Sequence, residues 1–214
     1  MIANVQDDMN DSSAKFVSAD AIVRYFNRAQ AIIARRIKYW KKEGTIDVVA
    51  ATETYDLTTK FTDFVDLHSV RWYEETIPME SCNTKAEYDE IKNIDSYFAT
   101  TGPSIYTVQS NQLFVYPAPS ATADDALVCW YSYIPPSIVS GATGPPIVVA
   151  TEPSVPSAYD AVLEGYALVK INKRRFADRG AMQDVQYWMQ MFQDDLLDLA
   201  EQAKNAEPCL TPEW

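Results

Sequence analysis

The side chains with the widest chemical repertoire are few and far apart in this sequence. His68 is the only histidine, which removes most zinc sites and leaves no Ser/His or Cys/His arrangement for nucleophilic attack. Its place in a β-rich run makes it a strand residue. Cys82, Cys129 and Cys209 are odd in number and widely separated, with no CxxC pair, so neither a disulfide framework nor a thiolate zinc site is written here, and all three read as small, partly buried thiols. Gly141-Ala-Thr-Gly144 is the nearest approach to a phosphate-binding loop. Pro145-Pro146 and Ile147-Val148-Val149 follow it with no lysine, so it reads as a turn-rich connection. Asp124-Asp125 and Asp194-Asp195 pair carboxylates in sequence, but adjacent acids point apart on a strand or a helix, which suits a solvated face better than acid/base work. Carboxylates that meet only in the fold keep a hydrolase as a weaker rival. The expectation is a protein with no catalytic residue, no metal ligand and no cofactor, which works by binding.

The elements that must carry any binding residue follow from length and periodicity. The chain has 214 residues with 47% apolar content, enough for one generous core or a core with an inserted module. No run approaches the ~18 apolar residues of a membrane span, and Met1 to Lys15 carries aspartates where a signal peptide needs a positive end; neither membrane insertion nor export by that route is expected. Ser18 is a candidate N-cap. After it, Ile22, Phe26, Ala29, Ile33, Ile37 and Trp40 lie along one stripe of a long helix ending near Gly44.

From Thr45 the pattern turns to short β-rich runs: Thr45 to Val49, Thr54 to Leu57, Val65 to Tyr73 and Thr76 to Met79. Thr84 to Ile94 fits a short helix lying on the sheet. Ser104 to Val108 and Gln112 to Tyr116 flank the turn-prone Ser110-Asn111 as a tight hairpin, closed by Pro117 and Pro119, and Ala126 to Ile134 adds an aromatic-rich strand. A proline-punctuated connection leads to Ser157, which caps a helix with Val162, Tyr166, Val169 and Phe176 on one side. Beyond a break at Asp178-Arg-Gly180, Met182, Val185, Met189, Phe192, Leu196 and Leu199 step along a second helix. Pro208 and Pro212 make the last stretch extended. The expected fold class is α+β, an antiparallel bundle of terminal helices with an inserted β-rich, sandwich-like domain. In residue numbers, 1–17 is an acidic N-terminal arm, 18–44 and 157–204 the helical bundle, 45–156 the inserted β-rich domain, and 205–214 an extended C-terminal tail.

Charge is partitioned between these modules. Thirteen of the 18 Lys+Arg residues lie between Lys15 and Lys42 or between Lys170 and Arg179, whereas Thr45 to Pro156 has four against 15 Asp+Glu. A nucleic-acid binder would carry an acidic module that repels its own ligand, and no DNA-reading motif accompanies the basic helices. Pairing of those helices with acids on the last helix and on neighbouring subunits is the preferred explanation. A closed ring in which one face meets a different face of the next copy gives such a pattern a rationale.

The order of features from about Ser18 to Arg179 resembles the head-to-tail adaptor, or connector, proteins of tailed bacteriophages. The residues that carry the resemblance begin with the helix Ile22-Val-Arg-Tyr-Phe-Asn-Arg-Ala-Gln-Ala-Ile-Ile-Ala-Arg-Arg36. Thr54-Tyr-Asp-Leu57, Phe64-Val-Asp-Leu-His-Ser-Val-Arg-Trp72 and Gly102-Pro-Ser-Ile-Tyr106 follow. Asn111-Gln-Leu-Phe-Val-Tyr-Pro-Ala-Pro119, Leu127-Val-Cys-Trp-Tyr-Ser-Tyr-Ile-Pro-Pro136 and the helix Tyr159-Asp-Ala-Val-Leu-Glu-Gly-Tyr-Ala-Leu168 complete it. Where adaptors often have a leucine-proline pair after the first hairpin strand, Leu57 is here followed by Thr58.

The resemblance implies a non-enzymatic structural protein of the virion neck, assembled in the host cytoplasm as a homo-oligomeric ring, usually of twelve copies. Its partners would be the portal protein and a tail or nozzle protein, with DNA passing through the lumen without sequence-specific binding. On this sequence, Leu210, Pro212 and Trp214 become the candidate portal contacts, and Arg35, Arg36, Lys38, Lys41 and Lys42 the candidate subunit-interface or portal-facing charges. The rival from another class is a monomeric β-sandwich module binding a ligand or carbohydrate through Trp130, Tyr131 and Tyr133, which core packing explains equally well.

Overall fold

The computed structural model describes residues 2–8, 17–94, 102–139, 160–175 and 182–205. The chain forms two compact units, one made of Met1–Tyr39 with Ile134–Trp214 and the other of Trp40–Tyr133. Helices build the first and strands dominate the second, an α+β fold.

In the helical unit, α1 (Ile2–Asp8) lies within the stretch read as an acidic arm. Ile2 and Val5 are buried, and the Asn4 side chain donates to Glu164 at 2.9 Å. Helix α2 (Ala19–Ile37) starts where the sequence places it, with the Ser18 hydroxyl accepting from the Ala21 N–H. Ile22, Phe26, Ala29 and Ile33 are fully buried along one stripe, as their spacing requires. It stops seven residues before Gly44, because Lys38 turns left-handed (φ 56°) and Lys41 enters a strand paired with Ser132. A long-range ladder has overridden local periodicity, and Trp40 is buried in the β unit rather than on α2.

Helix α5 (Asp160–Arg175) is the centre of the helical unit. Val162, Leu163, Tyr166, Ala167, Leu168, Val169 and Ile171 are all buried, which covers every side of the helix rather than the single side expected, and marks a helix surrounded by others. Helix α6 (Met182–Asn205) packs on it with the Tyr166 and Phe192 rings 5.3 Å apart. These rings lie about equally far from the break between the two helices, the pairing an antiparallel helical hairpin makes. Asn205 belongs to α6 and not to an extended tail.

The β unit holds two sheets. β1 (Lys41–Val48), β7 (Ala123–Tyr133) and β3 (Phe64–Trp72) form an antiparallel sheet in the order β1-β7-β3. β2 (Thr54–Asp56), β6 (Gln112–Tyr116), β5 (Ile105–Gln109) and β4 (Glu80–Ser81) form the other, with only β4 parallel to its neighbour. Ile46, Val70, Leu127 and Cys129 from the first sheet and Tyr55, Leu113 and Val115 from the second share one core. The expected strand at Thr76 to Met79 is a turn region; only Met79 bonds to the sheet, through its N–H to the Val70 carbonyl. Ser110 and Asn111 both have positive φ (52° and 64°), the backbone that a tight two-residue hairpin demands.

Asp56 begins a single helical turn, α3 (Leu57–Lys60), by accepting from the N–H groups of Thr58 and Thr59 and from the Thr58 hydroxyl. That turn seats Leu57 fully in the core and brings Phe61 onto Tyr131, ring centroids 4.3 Å apart. α4 (Lys85–Lys92) is capped by Thr84, with Glu87 reaching back to the Asn83 N–H. It covers the outer face of the second sheet through Tyr88, whose hydroxyl donates to the Val115 carbonyl at 2.9 Å.

Candidate interaction surfaces

His68, Cys82 and Cys129 are held in strand and core positions. His68 Nε2 lies 2.6 Å from the Ser132 hydroxyl on the neighbouring strand. The Cys129 thiol is enclosed by the core, and burial pushes its pKa up to about 12; burial also raises that of Cys82. Thiols so placed are poor nucleophiles at neutral pH. Among the described residues no group of three His, Cys, Asp or Glu side chains could hold a metal ion. A recess of about 250 Å³ beside Trp72, Pro78, Met79, Gly102 and Ser104 carries Glu75 as its one ionisable side chain.

The aromatic strand is divided between inside and outside. Tyr131 is 3% exposed and stacks in the core, while Trp130, paired with Glu43 and Ser69 on the flanking strands, is 36% exposed. Trp130, Tyr131 and Tyr133 therefore do not make one stacking platform for a sugar, because neighbours on a strand face opposite ways.

The five candidate interface cations occupy three kinds of position. Arg35 and Arg36 are exposed in the last turn of α2, where cations favour the negative end of the helix dipole. Lys38 is the left-handed cap that ends it. Lys41 and Lys42 sit on β1, in the other unit, and not on the helix. Lys42 is engaged within that unit. It pairs with Asp63 at 2.6 Å and sits 4.5 Å from the Tyr133 ring centroid, and the Asp63 carboxylate holds its ammonium above the usual lysine value against the opposing effect of burial. Leu210, Pro212 and Trp214 lie outside the described residues.

Arg24 and Arg28, outside the candidate set, are exposed as Arg35 is. Arg24, Arg28 and Arg35 follow one another at helical spacing along the outer side of α2. Partial burial, with the neighbouring Arg28 and Lys173 cations, pulls the Lys170 pKa down, and Arg28 also lies close to the Tyr166 hydroxyl. On α6 the buried arc runs through Phe192, Asp195 and Leu199, so Met189, expected inside, is 48% exposed. Partial burial and the neighbouring Asp198 and Asp194 carboxylates raise the Asp195 pKa. Lys42–Asp63, Lys85–Asp89 and Lys92–Glu53 form ion pairs within the β unit.

A family model described as SU10 adaptor protein matches residues 1–210. The chain belongs to the SU10 adaptor protein family. This is a phage adaptor family, and membership suggests a structural role for the adaptor described above. No curated protein matches the sequence. Among the adaptor's described residues no helix is long and apolar enough to cross a membrane.

Proposed function

We propose that this adaptor is a subunit of an oligomeric ring, of about twelve copies by family resemblance, lying between the portal and the tail of a tailed phage in the virion neck. It acts by binding and not by catalysis. The portal would be engaged by Leu210, Pro212 and Trp214, and a tail or nozzle protein would attach to the assembled ring, with DNA passing through the lumen. Arg35, Arg36 and Lys38 at the end of α2, with Lys41 and Lys42 on β1, would supply charge at subunit or portal contacts. The single observation that carries the reading is the family match across residues 1–210. The positions of His68 on β3 and Cys129 in the core are in keeping with it.

Binding of purified adaptor to portal rings of the same phage tests the anchor. A terminal aromatic seated in a groove is the usual form of an interface hot spot, worth ~2 kcal/mol or more on truncation. Trp214→Ala is therefore expected to weaken portal binding by a factor of ~30 or more, with the circular dichroism of the free subunit unchanged. Unaltered affinity would remove Trp214 from the portal contact.

A further inference from the structure

Two outer helix faces of the helical unit carry opposite charge, each with a like-charged pair at i, i+4: Arg24–Arg28 on α2 and Asp194–Asp198 on α6. On α2, Arg24, Arg28, Ala31 and Arg35 recur at i, i+4, i+7 and i+11. On α6, Tyr187, Met191, Asp194 and Asp198 recur at the same intervals, and Glu201 extends the row. The arginines and these acids are exposed, and Met191, which precedes the acids on the α6 row, is 38% exposed. Each row spans about 16 Å at 1.5 Å per residue. Among the described residues neither Arg24, Arg28 and Arg35 nor Asp194 and Asp198 has an ion-pair partner. The like charges within each row repel at the i, i+4 distance, a cost that an opposing row of the other sign would convert into attraction.

We propose that the Arg24–Arg28–Arg35 face of α2 docks on the Met191–Asp194–Asp198–Glu201 face of α6 of a second copy of this chain. The two faces differ, so the contact is heterologous: each copy keeps one free face of each sign, and successive copies add in the same sense until the series closes. Met191 supplies the apolar contact that charge alone lacks. This deepens the ring reading and rests on it, naming the surfaces through which neighbours meet. Portal contact plays no part in it.

The test uses full-length chain without portal, by sedimentation velocity at low ionic strength. Wild type is expected to form species larger than the monomer that dissociate as salt rises from ~20 to ~300 mM, the range over which exposed charges become screened. Arg24→Glu with Arg35→Glu leaves one competent face, as does Asp194→Lys with Asp198→Lys. Each double variant should stay monomeric, and a mixture of the two should assemble in alternation, because each face of one variant then meets a face of opposite charge on the other. Combining all four changes reverses both faces and should restore assembly. Far-UV circular dichroism confirms that each variant is folded. Double variants that assemble like wild type, a folded fourfold variant that stays monomeric, or a wild type monomeric at every salt concentration would each overturn the proposed contact. The ring reading would then still stand or fall on assembly with portal, which is measured separately.

Discussion

The Asn27 side-chain amide makes two reciprocal hydrogen bonds with the backbone of Ile138: Asn27 Nδ2 donates to the Ile138 carbonyl at 2.9 Å, and the Ile138 N–H donates to Asn27 Oδ1 at 2.7 Å. Ile138 is 2% exposed. The pair fixes the chain where it re-enters the helical unit after the β unit, and satisfies both polar groups of a backbone segment outside any helix or sheet. Asn27→Ala leaves both of those groups without partners and is expected to lower unfolding free energy by about 1–3 kcal/mol in urea titrations. A loss under about 0.5 kcal/mol would show that the pair contributes nothing beyond an ordinary surface contact.

Gly44 lies on β1 opposite Cys129, and a Cβ placed there would come within 2.7 Å of the Phe61 ring and 3.0 Å of Tyr131. Gly44→Ala must push Phe61 off its stack, an overpacking cost of about 1–3 kcal/mol. Gly44→Ala combined with Phe61→Leu should recover part of it. Equal stability of wild type and Gly44→Ala would contradict the packing described for this strand.

Asp56 accepts four hydrogen bonds, from the Thr58 and Thr59 N–H groups, the Thr58 hydroxyl and the Gln112 amide, and these bring its pKa down to about 2. A depressed carboxylate stabilises the fold above its unfolded value, and that contribution is lost as pH falls through the folded one. Asp56→Asn should therefore lower Tm at pH 7, and the gap to wild type should narrow as pH falls below about 4. A gap that is constant from pH 7 to pH 2 would show that the charge of Asp56 is irrelevant to the turn.

The opposite sign holds for Asp195. Partial burial and the Asp198 and Asp194 carboxylates raise its folded pKa, so the charged form is penalised above that value and the penalty is relieved as pH falls through it. Asp195→Asn is expected to raise Tm at pH 7 by ~1–3 °C, with the gain shrinking on acidification. A lowered Tm would mean that the carboxylate has a stabilising partner.

Features with local chemistry are legible in the sequence. Ser18 caps α2 because its hydroxyl reaches the N–H three residues on, and Ser110-Asn111 turns a hairpin because two residues that tolerate positive φ stand between alternating strands. Features decided by distant partners are not. The α2 periodicity continues to Trp40, but pairing of Lys41 with Ser132 ends the helix at Ile37. The apolar stripe read on α6 is turned toward Asp195 because α5, buried on every side, dictates which arc of α6 is covered. The α2 arginines were visible as a basic load, but the acidic row that matches them could be recognised only once the outer face of α6 was known.

The most direct measurement of the central claim is the mass of the adaptor assembly formed on portal rings, by native mass spectrometry or cryo-electron microscopy, with the full chain and with Leu210 to Trp214 deleted. The account predicts a closed ring on the portal that is lost on deletion. A full-length chain that remains monomeric and indifferent to portal would contradict it.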